Sequence, residues 1–201
     1  MGSLEKLSID TFVDMLNQLD RRLMEKYGIC GCNIEIKAIG GFAIMHHAMQ
    51  KHFTSRIGSA DIDSLTLDYE IGIQEEIMKI GQDNGAPLDW INNQWYRLMT
   101  YHDNLESLIT WEDSGYKFNN ITLYIADLES IFLFKVRAVD IELKSNRKPR
   151  QQDIIDVISI MQFYNQKDFL NINIPQMSKI LDMYPEASKY LAENYNKYFS
   201  L

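Results

Sequence analysis

The sequence predicts an α/β (α+β) fold, a small mixed sheet flanked by helices and followed by a C-terminal helical region. Three observations carry this. Residues 33–39, 41–52 and 62–67 read as strand, helix and strand. Two β-like runs, 105–112 and 117–126, are joined by the turn-forming cluster Asp113-Ser114-Gly115. From Asp127 onward the patterning is helical. A division follows, with an α/β core over residues 1–145 and a helical region over 146–201 packed on it.

Each element has a local reason. Ser8 to Gly28 reads as an amphipathic helix, capped by Ser8, striped by Phe12, Met15, Leu16, Leu19 and Leu23, and stopped by Gly28. Ile34, Ile36 and Ile39 mark the first strand, and Gly41 to His52 the helix after it. The next strand, Ile62 to Leu67, leads into a helix over 68–82 with Asn84-Gly85 as its stop. Asp89-Trp90-Ile91-Asn92 reads as a capped turn with a buried Trp90. Beyond the hairpin a helix spans Asp127 to Leu143, and another runs from Asp153 to Tyr164. Two more follow, one started by Ile174-Pro175 and one after Tyr184-Pro185.

Composition narrows the partners. The chain has 201 residues, 46% hydrophobic and 24% charged, enough to bury an ordinary core. A formal net charge of −8 argues against broad nucleic-acid binding, although Arg147-Lys148-Pro149-Arg150 is a local basic patch. Cys30 and Cys32 are too few for a zinc site and too close for an unstrained disulfide, so reduced packing thiols are expected. Residues 1–28 are studded with charges, unlike a signal peptide, and no apolar run reaches the roughly 18 residues of a membrane span. A cytoplasmic protein with no membrane partner is the expectation.

The chemistry concentrates between Ile34 and Asp63. A short apolar run ends in Gly40-Gly41, an apolar helix follows, and the next strand opens with Asp61 and Asp63. Residues i and i+2 of a strand share a face, so the two carboxylates project side by side and call for a cation such as Mg²⁺. The double glycine lets the backbone approach a ligand, and the N–H groups of a helix starting there favour a phosphate. His46 and His47 are adjacent, face different sides of a helix, and read as packing or hydrogen-bonding residues.

This arrangement resembles the polymerase-β-like nucleotidyltransferase superfamily, with a Gly-Gly turn, a helix and an Asp-x-Asp strand. Within it the chain is similar to the bacterial branch of AbiEii-type and MenT-like toxins. Gly40, Gly41, Ala43, Arg56, Asp61 and Asp63 carry the likeness, with Ser59 where the branch has Thr or Ser and an Arg-to-Asp spacing about one residue longer. The likeness extends to Lys135 in the helix Leu128 to Ala138 and to the segment Arg150 to Asp156, covering roughly residues 30–160.

The resemblance implies a nucleotidyltransferase fold and transfer of a nucleoside monophosphate from a nucleoside triphosphate to an acceptor hydroxyl. Asp61 and Asp63 would be catalytic and hold two Mg²⁺ ions, with Mn²⁺ as a substitute, and Asp153 would complete the acidic site. Gly40, Gly41, Arg56, Ser59 and Lys135 would bind the nucleotide. Residues 118–125 offer Asn119, Asn120 and Thr122 but no acid, and Glu112 is the reserve for the third carboxylate. Bland readings stand beside these: Lys135 as a snorkelling surface lysine, and Asp153 and Asp156 as carboxylates favoured at a helix start. The acceptor is open between an RNA end, a protein and a small molecule. A toxin–antitoxin or phage-defence setting adds a cognate antitoxin or toxin as a partner. The alternative is a catalytically quiet, nucleotidyltransferase-like binding partner, and a generic α/β domain with chance motifs is a third reading.

Overall fold

The computed structural model describes residues 6–29, 32–54, 56, 58–65, 69–93, 108–166 and 172–199. Among them are seven helices and a five-stranded mixed sheet, which bears out the mixed α+β class. The chain forms two compact units. The first comprises residues 1–46 and 57–127, and the second residues 47–56 and 128–201. The parting between Asp127 and Leu128 places the helix after the sheet with the later helices.

The first unit holds the whole sheet. Helix α1 (Ile9–Tyr27) is capped as expected, the Ser8 hydroxyl accepting from the Thr11 N–H at 3.2 Å, and it ends at Gly28 with φ +84°. It packs on α3 (Ile71–Asp83), tied there by Arg22 to Glu76 at 3.2 Å and to Asp83 at 2.8 Å. Strand β1 (Ile34–Ile39) lies beside β2 (Ile62–Ser64) on one side and β5 (Ile121–Ala126) on the other. The edges are β3 (Ile91–Asn92) next to β2 and β4 (Trp111–Asp113) next to β5. The sheet is mixed because β1–β5 and β2–β3 run parallel, while β1–β2 and β4–β5 run antiparallel.

Register sorts the two faces. Ile36 pairs with Leu123 and Ala38 with Ile125, and all four are buried. The opposite face carries Glu35 opposite Thr122, Lys37 opposite Tyr124, and Asp63 opposite Ile39. Two expected strands are shorter than their β-like runs, β4 and β5 beginning at Trp111 and Ile121. Residues 105–107 and 66–67 of the expected strands lie outside the described residues.

The second unit is helical. Helix α2 (Gly40–Lys51) crosses the boundary, contributing its last residues here. Helix α4 (Leu128–Lys144) packs against α5 (Gln151–Phe163), α6 (Pro175–Met183) and α7 (Pro185–Phe199). Pro175 and Pro185 each stand at the first helical position, where the missing N–H removes no intrahelical bond. Among the described residues, no helix is long and apolar enough to cross a membrane.

Candidate functional site

In the first unit the glycine turn and Asp63 meet. Gly40 follows β1 directly and has φ +68°, a left-handed conformation that side chains other than glycine rarely adopt. Helix α2 starts at once, and its first turn, Gly40-Gly41-Phe42-Ala43, has no acid. The unsatisfied N–H groups there carry partial positive charge. Because β2 runs antiparallel to β1 with Ile39 opposite Asp63, the Asp63 carboxylate arrives beside that turn. A Cβ on Gly40 would strike Asp63 Oδ2. Glycine is therefore required twice, by the backbone angle and by the carboxylate packed against it.

Asp61 is held from the neighbouring strand. Residue Asn92 of β3 lies opposite Asp63, one strand spacing of about 4.8 Å away, and its Nδ2 donates to Asp61 Oδ2 at 2.8 Å. A carboxylate only accepts, so the amide must present its NH₂ group to Asp61. Trp90 sets this register. Its ring is fully buried, its Nε1 donates to the Ile77 carbonyl at 2.8 Å, and its carbonyl accepts from the Ile62 N–H at 2.7 Å. Gly81 of α3 leaves room, since a Cβ there would meet the Pro87 carbonyl and the Trp90 ring. The Asp-Trp-Ile-Asn run is thus more than a capped turn. It anchors a strand that delivers an amide to the acid pair. The sequence signal was missed because two residues are too few to show strand alternation.

Other first-unit candidates are placed as follows. Ser59 lies two residues before Asp61, is buried, and exchanges backbone hydrogen bonds with Leu7 at 2.7 and 3.1 Å. Glu112, the reserve third carboxylate, pairs with Ile125 and so shares the face opposite to Asp63. It also sits three strands from β2, roughly 14 Å at the usual spacing, which removes it from the pair. Asn119 and Asn120 serve Asp20 of α1, whose carboxylate accepts both of their backbone N–H groups at 2.6–3.1 Å. Asp20 interrupts the apolar stripe at a buried position, a signal the sequence does offer. His46 is buried edge-on to Tyr116 with ring centroids 5.6 Å apart, and His47, the first residue of the second unit, is buried too, in keeping with packing histidines.

Arg56, Lys135 and Asp153 belong to the second unit, where they join one buried charge cluster. Lys135 Nζ lies 2.8 Å from Asp153 Oδ1 and 2.9 Å from Asp156 Oδ2. Arg56 grips Asp156 with both ends of its guanidinium, at 3.3 and 2.5 Å. Arg150 Nε meets Asp153 Oδ2 at 2.7 Å, and Gln152 donates to Asp156 Oδ1 at 3.1 Å. Each of the four carboxylate oxygens is engaged. Burial opposes the charge on Asp153, but Lys135 and then Arg150 outweigh it and hold its carboxyl below the usual range. Lys135 does not snorkel: its side chain is 8% exposed. Asp156, given the blander reading from sequence, is the most enclosed acid of the cluster, with a side chain 1% exposed.

The residues of the first unit fit a hard dication of limited protein ligation. Among the described residues, no group of three or more His, Cys, Asp or Glu is placed to hold a metal ion. Mg²⁺ commonly takes one or two carboxylates and completes its shell with water and substrate phosphates, which is what Asp61 and Asp63 beside a helix N-terminus can offer. Comparisons with protein-family models, curated proteins and solved structures find no match to the chain.

Proposed function

We propose that the chain is a Mg²⁺-dependent nucleotidyltransferase of the polymerase-β-like type, acting from the acid pair Asp61 and Asp63. One observation carries the reading. The left-handed Gly40, the acid-free N-terminal turn of α2 and the Asp63 carboxylate occupy a single corner of the sheet. Such a corner pairs fixed partial positive charge, suited to phosphate oxygens, with carboxylates suited to a cation.

The chain's residues would divide the work. Asp61 and Asp63 would hold Mg²⁺, which when bound supplies charge neutralisation on the triphosphate and activation of the acceptor hydroxyl. Gly40 and Gly41 would offer backbone N–H groups to the triphosphate, as the resemblance implies. Asn92 would hold the Asp61 carboxylate in place through its Oδ2. The acceptor is a hydroxyl on an RNA end, a protein or a small molecule.

The second reading, a catalytically quiet binding partner, has one observation behind it. Asp153, the third acid implied by the resemblance, has both oxygens committed to Lys135 and Arg150. Calorimetry with Mg²⁺ and each of the four ribonucleoside triphosphates separates the two. The enzyme reading expects binding by at least one nucleotide that disappears without metal and in the Asp61→Ala/Asp63→Ala protein. A folded protein that binds none of the four would be a quiet module.

A further inference from the structure

We propose that Asn84-Gly85, the one Asn-Gly pair in the chain, is a site of spontaneous deamidation that the native fold holds shut through Gln18. The site lies in the turn between α3 and β3 and is independent of any nucleotide chemistry. Both residues are exposed, and a Cβ on Gly85 would meet nothing within 4 Å, so water and base reach the peptide bond. The reaction is an internal acyl transfer. The Gly85 nitrogen loses its proton and bonds to the Asn84 Cγ, the Cγ–Nδ2 bond breaks, and that nitrogen leaves with the proton as ammonia. Water then opens the cyclic imide at either carbonyl, leaving an aspartate or an isoaspartate at position 84.

The folded turn opposes the first step in three ways. At Asn84 ψ is 6°, which sets the Gly85 nitrogen beside the Asn84 backbone nitrogen and away from the side chain. The Gly85 N–H donates to the Gln82 carbonyl at 3.3 Å and the Ala86 N–H to the Gly81 carbonyl at 2.8 Å, so the attack requires the turn to open. The Asn84 carboxamide is also clamped at both ends. Its Nδ2 donates to the Ile80 carbonyl at 2.8 Å and to Gln18 Oε1 at 3.1 Å, and its Oδ1 accepts from Gln18 Nε2 at 3.2 Å. The product cannot rebuild this clamp. A carboxylate only accepts, so the bonds to Ile80 and Gln18 Oε1 are lost, and a new negative charge falls beside Asp83 at the C-terminal end of α3. A passing opening of the turn thereby becomes a permanent loss of a tie between α1 and α3.

The full chain is incubated at mildly alkaline pH, folded and in urea, and conversion at Asn84 is followed by peptide mass mapping with isoaspartyl methyltransferase labelling. The unfolded chain is expected to convert at least about tenfold faster than the folded one, because opening of the turn limits the folded reaction. Gln18→Ala, at a half-buried position, should speed folded-state conversion roughly three- to tenfold through the loss of its two hydrogen bonds to the carboxamide. Gly85→Ala in urea should slow it sharply, since a Cβ beside the attacking nitrogen obstructs the approach. Asn84→Asp, which reproduces one product, should lower the Tm. Equal conversion of folded and unfolded chains overturns the inference, and so does a chain that leaves Asn84 intact in urea. A Gln18→Ala protein that is folded by circular dichroism and converts no faster than the unmodified chain overturns it too. Should Gln18→Ala not fold, Gln18→Met, which keeps the length and removes the amide, gives the same comparison. An unchanged or raised Tm in Asn84→Asp counts against the lost tie.

Discussion

Two groups of acids in this protein are built in opposite ways. Asp153 and Asp156 in the second unit are surrounded by cations from the chain itself, with Lys135 bridging them and Arg56 and Arg150 at their outer oxygens. Asp61 and Asp63 in the first unit are only partly buried and sit against a glycine turn, a helix N-terminus and an amide. The first arrangement satisfies its charges internally and needs no ligand. The second sets two partly exposed carboxylates beside the weaker dipoles of a turn and an amide. A pair of aspartates near a lysine therefore says little by itself about chemistry, because internal pairing is the commoner use of such groups.

The contrast can be broken most forcefully in the second unit. Asp156→Ala would leave Arg56 and Lys135 buried without that carboxylate, and a loss of about 3–5 kcal/mol in denaturant unfolding is expected. Nucleotide binding by the protein that remains folded should be unchanged. A loss of binding at retained fold would bring the cluster into the functional site and erase the distinction.

Gly40→Ala tests the first unit's corner. It combines a positive φ with a Cβ driven into the Asp63 carboxylate, so about 1–3 kcal/mol of stability should be lost and the acid pair displaced. Metal-dependent nucleotide binding would fall with it. Full binding in Gly40→Ala would show that the turn is a scaffold feature alone.

Acid titration sharpens the comparison further. The Asp153 carboxyl is depressed in the folded state, so its stabilising contribution is fully present above the unfolded value of about 3.9. That contribution disappears as pH falls through the lower native value, because the unfolded chain binds the proton first. Asp153→Asn should therefore flatten the decline of stability below about pH 4, measured by urea unfolding across the acid range. An unchanged acid limb would mean that the pairs with Lys135 and Arg150 carry no such linkage.

The smallest expected effect on stability comes from Asp63→Asn, within about 0.5 kcal/mol in either direction, since a partly exposed carboxylate becomes an amide of equal size. Its effect on ligand uptake should be complete. Small stability change with lost binding is the signature of a functional acid, and the reverse is the signature of the Asp156 cluster.

Much of the scaffold was legible along the chain. The Ser8 and Gly28 signals bound α1, the isoleucine run marked β1, and the prolines at 175 and 185 started the last two helices. These are local matters of capping, alternation and ring geometry, and each depends on residues a few positions apart. The meeting of the Gly40 turn with Asp63 was legible too, because both lie within one short stretch of sequence, although the strand opens at Ile62 and leaves Asp61 just ahead of it.

Tertiary structure alone decided the partners. Nothing along the chain says that Asn92 stands beside Asp63, because a two-residue strand has no periodicity and its register is imposed by Trp90 bonding to α3. Nor could spacing foretell that Arg56 meets Asp156, 100 positions later, so that a cation read as a phosphate ligand grips a carboxylate of its own chain. Sequence determined which residues form helices and strands and which side chains can bear charge. The fold determined which of the charges in the Asp153 and Asp156 cluster neutralise one another, because Coulombic pairing depends on distance in space and burial, and neither is written locally.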